Sequence, residues 1–252
     1  MKKAIYSRSL IVAAVSLFML GLPAQASQID EGIESTARNS YVFKTFLQSD
    51  DIKIVSRDGN VTLTGIVADN FNKSLAQETL AGIPGVKNVD NKLGIKGESP
   101  TANSDAWLRD KVKATLLFHR SVNGLKIEVN VKDGIVSLRG GAESLSQKEL
   151  AAEYARDVEG VKSVNNEMIL IKTAKETQTV GQKIDDASIT AQVKLSLLYH
   201  RSTSAMNTKV ETNNGDVTLY GKAGSAAEKN LATKFASDVN GVNSVYNRMI
   251  VE

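Results

Sequence analysis

The chain has 252 residues, 42% of them hydrophobic, 23% charged and 5% aromatic, with no cysteine and only His119 and His200 as imidazoles. Zero cysteine excludes disulfides, thiolate nucleophiles, Cys-ligated zinc and iron–sulfur clusters, and two imidazoles leave no His-rich metal site within one chain. The hydrophobic and charged fractions are those of a folded soluble protein. From the N-terminus, Lys2, Lys3 and Arg8 precede an uncharged stretch from Leu10 to Leu22, followed by the small-x-small pattern Ala24-Gln25-Ala26. At about 1.5 Å per residue that stretch is about 20 Å long, short of the roughly 30 Å of a bilayer core, so residues 1–26 read as a secretory signal cleaved after Ala26. No later segment is apolar enough to span a membrane, so no transmembrane segment is expected after cleavage. The three charges lost are all basic, which turns 31 basic and 28 acidic residues into 28 of each. A polyanion binder needs a broad basic surface or arm, so nucleic acid is not an expected partner.

An internal repeat organises the rest of the chain. Positions 105–171 align without a gap on 186–252 at an offset of 81, with 29 of 67 residues identical. A more diverged copy precedes them at an offset of 75. Each copy opens with a helical period, Leu108, Val112, Leu116 and Leu117 in copy two and Ile189, Val193, Leu197 and Leu198 in copy three. Alternating apolar residues follow (Ile52/Ile54, Ile127/Val129, Thr208/Val210), then the turn signals Asp58-Gly59, Asp133-Gly134 and Asn214-Gly215. A second strand runs through Val61/Leu63, Val136/Leu138 and Val217/Leu219 to Gly65, Gly140 and Gly221. A second helix carries Leu75 and Ala76, Leu150 and Ala151, or Leu231 and Ala232, and stops at Gly85, Gly160 and Gly241. A last strand leads into Leu93/Ile95, Met168/Leu170 and Met249/Val251.

The unit therefore reads α-β-β-α-β, and the fold class is α+β: three tandem modules, each with two helices on one face of a small three-stranded mixed sheet. The modules span 27–98, 105–172 and 185–252, with polar joints at 99–104 and 173–184. Units of this size bury only a modest core, so neighbours are expected to lean on each other.

The turn glycine, Val-x-Leu-x-Gly on the second strand, and Gly-Val-x-x-Val-x-Asn before the last strand (Gly160-Val161, Val164 and Asn166 in copy two) resemble the BON domain, the bacterial OsmY and nodulation domain. The resemblance covers nearly the whole chain after the signal. Three copies stand here, and no lipobox cysteine follows the signal. It implies a Gram-negative periplasmic protein linked to envelope or osmotic stress, with anionic phospholipid or outer-membrane components as partners. A chaperone role toward outer-membrane or secreted clients is the alternative it implies, and a small-molecule module is a third reading.

No residue pattern points to catalysis, a cofactor or a metal. His119-Arg120-Ser121 is repeated as His200-Arg201-Ser202, but adjacent helical residues point about 100° apart, so the triplet does not make a serine–base pair. It reads as the polar end of the first helix. The glycines bracket strands and form neither phosphate-loop spacing. Gly59, Gly65, Gly85, Gly134, Gly140, Gly160, Gly215, Gly221 and Gly241 are read as turn and cap residues. The candidate contact site is Trp107, Leu108 and Lys111 at the start of copy two's first helix, where Trp107 and Lys111 are i,i+4. It is read either as a contact with anionic lipid or as a wedge between modules, with copy two alone combining tryptophan and a net positive charge.

Overall fold

The computed structural model describes residues 22–97, 100–101, 103–171, 183–203 and 208–252, with side chains from Gln28 onward. The basic and apolar parts of the signal reading, and most of the 173–184 joint, lie outside the described residues. Module 1 comprises α1 (Leu22–Asn39), α2 (Tyr41–Thr45), β1 (Asp51–Arg57), β2 (Asn60–Val67), α3 (Asn70–Ala81) and β3 (Asn88–Ile95). Module 2 comprises α4 (Asp105–Phe118), β4 (Ile127–Lys132), β5 (Ile135–Ala142), α5 (Leu145–Arg156), β6 (Ser163–Asn166) and β7 (Ile169–Leu170). Module 3 repeats this as α6 (Asp186–Tyr199), β8 (Thr208–Asn213), β9 (Asp216–Ala223), α7 (Ala226–Ser237), β10 (Ser244–Asn247) and β11 (Ile250–Val251). Each module is a helix-backed mixed sheet, and the fold is α+β.

The hairpins form because their two central residues accept positive φ. Asp133 and Gly134 sit at φ 53° and 78°, Asp58 and Gly59 at 52° and 79°, and Asn214 and Gly215 at 51° and 81°. Two consecutive left-handed residues make the primed turn that matches strand twist. Each turn is also clamped from the first helix. Asp105 accepts hydrogen bonds from the amides of Asp133 (2.7 Å) and Gly134 (2.9 Å). Asp30 does the same for Asp58 and Gly59, and Asp186 for Asn214 and Gly215. One carboxylate per module thus fixes helix against hairpin.

The second strand is central in every sheet, antiparallel to the first and parallel to the third. At Gly140, φ is 127° and a Cβ would lie 2.4 Å from the Lys126 carbonyl oxygen, so the chain crosses there only without a side chain. The asparagine closing the family-like motif ties the third strand to the second helix. Asn91, Asn166 and Asn247 donate to the Lys73, Lys148 and Lys229 carbonyls at 3.0, 2.6 and 2.8 Å. In modules 2 and 3 the third strand breaks after this asparagine, and β7 and β11 resume the pairing with β5 and β9.

Two departures from the sequence reading come from packing between modules. The first helix of module 1 breaks at Ser40, and the freed Tyr41 and Val42 amides donate to Asp185 Oδ2 (2.7 Å) and Ser188 Oγ (3.1 Å) at the start of α6. Leu198, placed on the apolar stripe of α6 by spacing, is exposed. α6 is central, touching α3, α4, α7 and β8. Eleven of its 14 residues are buried, Ser188, Gln192 and Ser196 among them, so its polar face is as covered as its apolar one.

The apolar interior divides in two, and neither part follows module boundaries. One core runs unbroken through modules 2 and 3, from Leu108, Val112 and Leu138 to Val193, Leu219 and Met249. The other joins module 1 (Ile54, Leu63, Phe71, Leu80) to the outer faces of α4 and α6 through Ala114, Phe118, Ala191, Leu195 and Tyr199.

Candidate functional site at the module junctions

The first site is the meeting of the two His-Arg-Ser triplets. α4 and α6 end at His119 and His200 in extended backbone, which lets each residue bridge to the other module: His119 pairs with Val239 and His200 with Val158. The Arg120 amide donates to the Asp238 carbonyl at 2.8 Å, and the Arg201 amide to the Asp157 carbonyl at 2.9 Å. Side chains repeat the exchange. Ser121 and Ser202 donate to the carboxylates of Asp238 and Asp157, and Arg120 and Arg201 pair with the same two carboxylates. Asp157 and Asp238 occupy equivalent positions, at the C-caps of α5 and α7. The arrangement is a two-fold-like clasp in which each module holds its neighbour's second helix.

At its centre the rings meet. His119 and His200 are 0% and 1% exposed, and their Nε2 atoms are 3.1 Å apart. His200 Nδ1 lies 2.9 Å from Asp157 Oδ2 in hydrogen-bonding alignment, whereas His119 Nδ1 lies 3.1 Å from Asp238 Oδ2 but makes no aligned hydrogen bond. One pair of equivalent residues distinguishes the two ends. Tyr154 donates to Asp238 Oδ2 at 2.7 Å, and module 3 has Phe235 in the equivalent place. His119 stacks on Tyr154 with centroids 3.9 Å apart, and His200 on Phe235 at 3.8 Å.

Burial shapes the titration of this cluster. Desolvation, opposed by the Asp238 carboxylate, pulls His119 below the ordinary histidine value. Desolvation also pushes both carboxylates up, but their neighbours outweigh it: His200 and Ser202 hold Asp157 low, and the adjacent His119 imidazole with the Ser121 and Tyr154 hydroxyls holds Asp238 low. Burial and the Asp238 carboxylate push the Tyr154 phenol up. The cluster gathers buried polar groups across the interface between modules 2 and 3.

The second site is the Trp107 corner. Ser104 caps α4 through the Trp107 amide, which fixes the ring at the first turn. The Lys111 ammonium lies 3.8 Å from the Trp107 ring centroid and 5.6 Å from that of Tyr199. A small cavity of about 50 Å³ beside them is lined by residues of all three modules, including Phe71, Trp107 and Tyr199. Desolvation, opposed by Glu159, lowers the Lys111 pKa. Trp107 is half-buried against the shared core of modules 2 and 3. Leu108 is 2% exposed, and faces that core beside Gly160. The structure therefore brings Trp107 and Lys111 together at a surface junction and sends Leu108 inward. The nine turn and cap glycines all have positive φ.

Spacing alone does not find Asp157, Asp238 or Tyr154. A signal is available, since the Asp and the His-Arg-Ser triplet are present together in copies two and three and absent together from copy one, which has Gly82 and Lys44-Thr45-Phe46. Among the described residues, no group of three His, Cys, Asp or Glu side chains is placed to hold a metal ion. No helix of the described residues is long and apolar enough to cross a membrane.

Three repeated helix-backed sheets, two of them joined through buried polar side chains, define a tandem-repeat α+β protein. Residues 29–97, 104–172 and 185–252 each match the BON domain, and the chain belongs to that family. It is similar to Osmotically-inducible protein Y of Escherichia coli strain K12, 36% identical over 57% of this chain and 70% of that protein. A 21 kDa hemolysin of Actinobacillus pleuropneumoniae is 38% identical over 48% of this chain and 59% of its own length. Outer membrane lipoprotein DolP of Haemophilus influenzae is 29% identical over 54% of this chain and 71% of its length.

Proposed function

We propose that this is a periplasmic stress protein, exported by a cleaved signal, that contacts anionic phospholipid headgroups at the Trp107 corner. Similarity to an osmotically inducible protein and to an outer-membrane lipoprotein supports the setting. The observation that carries the reading is the Lys111 ammonium over the Trp107 ring, in no ion pair among the described residues. An ammonium on an aromatic platform, with Glu159 acting on it only at a distance, suits a phosphate at headgroup depth. With 28 basic and 28 acidic residues after cleavage, the protein has no long-range attraction to a bilayer, so contact depends on a local patch. Such binding is screened over a Debye length of about 8 Å at physiological salt. Co-sedimentation with phosphatidylglycerol vesicles is expected to exceed that with phosphatidylcholine and to fall with salt. Lys111→Gln is expected to weaken it up to about five-fold, the equivalent of about 1 kcal/mol per basic residue near a surface. Binding unchanged by Lys111→Gln and by Trp107→Phe, in folded variants, contradicts the assignment.

A further inference from the structure

We propose that Asp157–His200–His119–Asp238 is a proton-gated latch between modules 2 and 3, closed when each ring carries one proton and opened when acid charges both. The four residues leave three gaps to be filled by protons, of 2.9, 3.1 and 3.1 Å. The central gap between the Nε2 atoms is bonded only if it holds one proton, since none leaves two lone pairs face to face and two leave opposed N–H groups. The aligned contact to Asp157 puts a proton on His200 Nδ1. A neutral His200 then has a bare Nε2 and accepts from His119 Nε2–H. That leaves His119 Nδ1 bare, in agreement with its lack of a hydrogen bond in the structure. The Tyr154 hydroxyl already donates to the Asp238 oxygen that faces His119 and so makes it a weaker acceptor for a proton there, and Phe235 offers no such donor to Asp157. The Tyr/Phe difference thus polarises an otherwise two-fold-like chain.

Acidification can add one proton without breaking this geometry, at His119 Nδ1 facing Asp238. A second has only the filled Nε2 gap to enter, and would place two cationic rings in contact in a dry interior. The groups facing the rings are Tyr154 and Asp157 from α5, Lys234 and Asp238 from α7, Ser196 from α6 at 3.5 Å, and Arg120 and Arg201 from the exchanged arms. The two carboxylates favour an added proton; Lys234 and the two guanidiniums oppose it. Burial holds His119 below its ordinary value. An unfolded chain protonates both rings near pH 6.5, so it binds more protons than the latch as pH falls. Stability from the latch is therefore complete above about pH 6.5 and is lost below it.

Because the chain has only two histidines, imidazole NMR reads the latch without interference. In the full chain at pH 7.5, the expected tautomers are Nδ1–H for His200 and Nε2–H for His119. Between pH 7.5 and 5.5 the melting temperature is expected to fall by several degrees, and the Arg120 and Arg201 amides to lose protection beyond the change in intrinsic exchange. Both effects are expected to vanish in the His119→Phe/His200→Phe double variant. Tyr154→Phe, which copies the natural Phe235 of module 3, is expected to raise the His119 titration midpoint by freeing an Asp238 oxygen, and it tests the latch even if the double variant does not fold. Identical tautomers, independent titration of both rings near pH 6.5 with a flat melting temperature, or a His119 midpoint unmoved by Tyr154→Phe would each overturn the proposal.

Discussion

Modules 2 and 3 meet through a reciprocal polar clasp around a shared core, whereas module 1 meets them through aromatic and apolar side chains laid on the outer faces of α4 and α6. Phe71 of module 1 lies 5.4 Å from Phe118 and 6.3 Å from Tyr199, centroid to centroid. Its polar contacts with them include the two α2 amides on Asp185 and Ser188 and the Lys194–Glu78 pair. The difference shows how duplication can diverge at an interface while the module itself is kept. The hairpin clamp, the strand-to-helix asparagine and the positive-φ glycines recur in all three copies; the clasp residues occur in two.

Breaking the clasp on one side is expected to cost the most. Asp238→Ala removes the acceptor for Tyr154, Ser121 and Arg120 and the carboxylate beside His119. Stranding those groups is expected to cost on the order of 3 kcal/mol in denaturant unfolding, since loss of one partner in a buried charged cluster leaves the others uncompensated. Asp157→Ala is expected to cost less, because Phe235 gives that carboxylate no phenol to satisfy.

Writing the clasp into module 1 probes the same contrast from the other side. Gly82 stands where the other modules have Asp157 and Asp238, and a Cβ there would lie 3.2 Å from the Ala187 Cα of α6. Gly82→Asp is therefore expected to destabilise by about 1–3 kcal/mol through overpacking, without forming any clasp. A neutral result would mean that module 1 is not seated closely on α6.

A smaller loss is expected at the polarising residue. Tyr154→Phe deletes one hydrogen bond to Asp238 while keeping the ring stacked on His119, and is expected to cost about 1 kcal/mol in thermal or denaturant unfolding.

Least is expected from the hairpin clamp common to all copies. The Gly134 and Asp133 amides hold the Asp105 carboxyl below its usual value, and the Ser56 hydroxyl and Gly59 amide do the same for Asp30. For a carboxyl with a lowered folded pKa, the contribution is present above the unfolded value near 3.9 and disappears as pH falls through the folded value. Asp105→Asn should reduce the pH dependence of unfolding below about pH 4 and leave it unchanged at neutral pH. An equal slope in wild type and variant would show that the clamp is not coupled to folding.

Much of the fold is legible in the sequence because it is local. Turn pairs such as Asp133-Gly134, the period of Val112 and Leu116, and the repeat itself report structure within one module. What is not legible depends on contacts between modules. Leu198 carries the spacing of a core residue but points to solvent, and Gln192 and Ser196 read as polar surface but lie under the neighbours of α6. The triplet after α4 reads as a helix end, which it is, yet its role rests on Asp238, 119 positions after His119. Trp107 and Lys111 are visible as an i,i+4 pair, but Tyr199 and Phe71, which complete their corner, come from other modules.

The shared core and the clasp are expected to make modules 2 and 3 unfold as one unit, with module 1 docked on it. Native-state hydrogen exchange can separate the two bodies, because it resolves the opening free energy of each element. The core amides of α4, β5, α6 and β9 are expected to share a single, highest opening free energy, with α3 and β2 of module 1 exchanging through a separate and lower one. Distinct opening free energies for modules 2 and 3, or α6 opening together with module 1 while α4 stays closed, would show that the chain is not divided in this way.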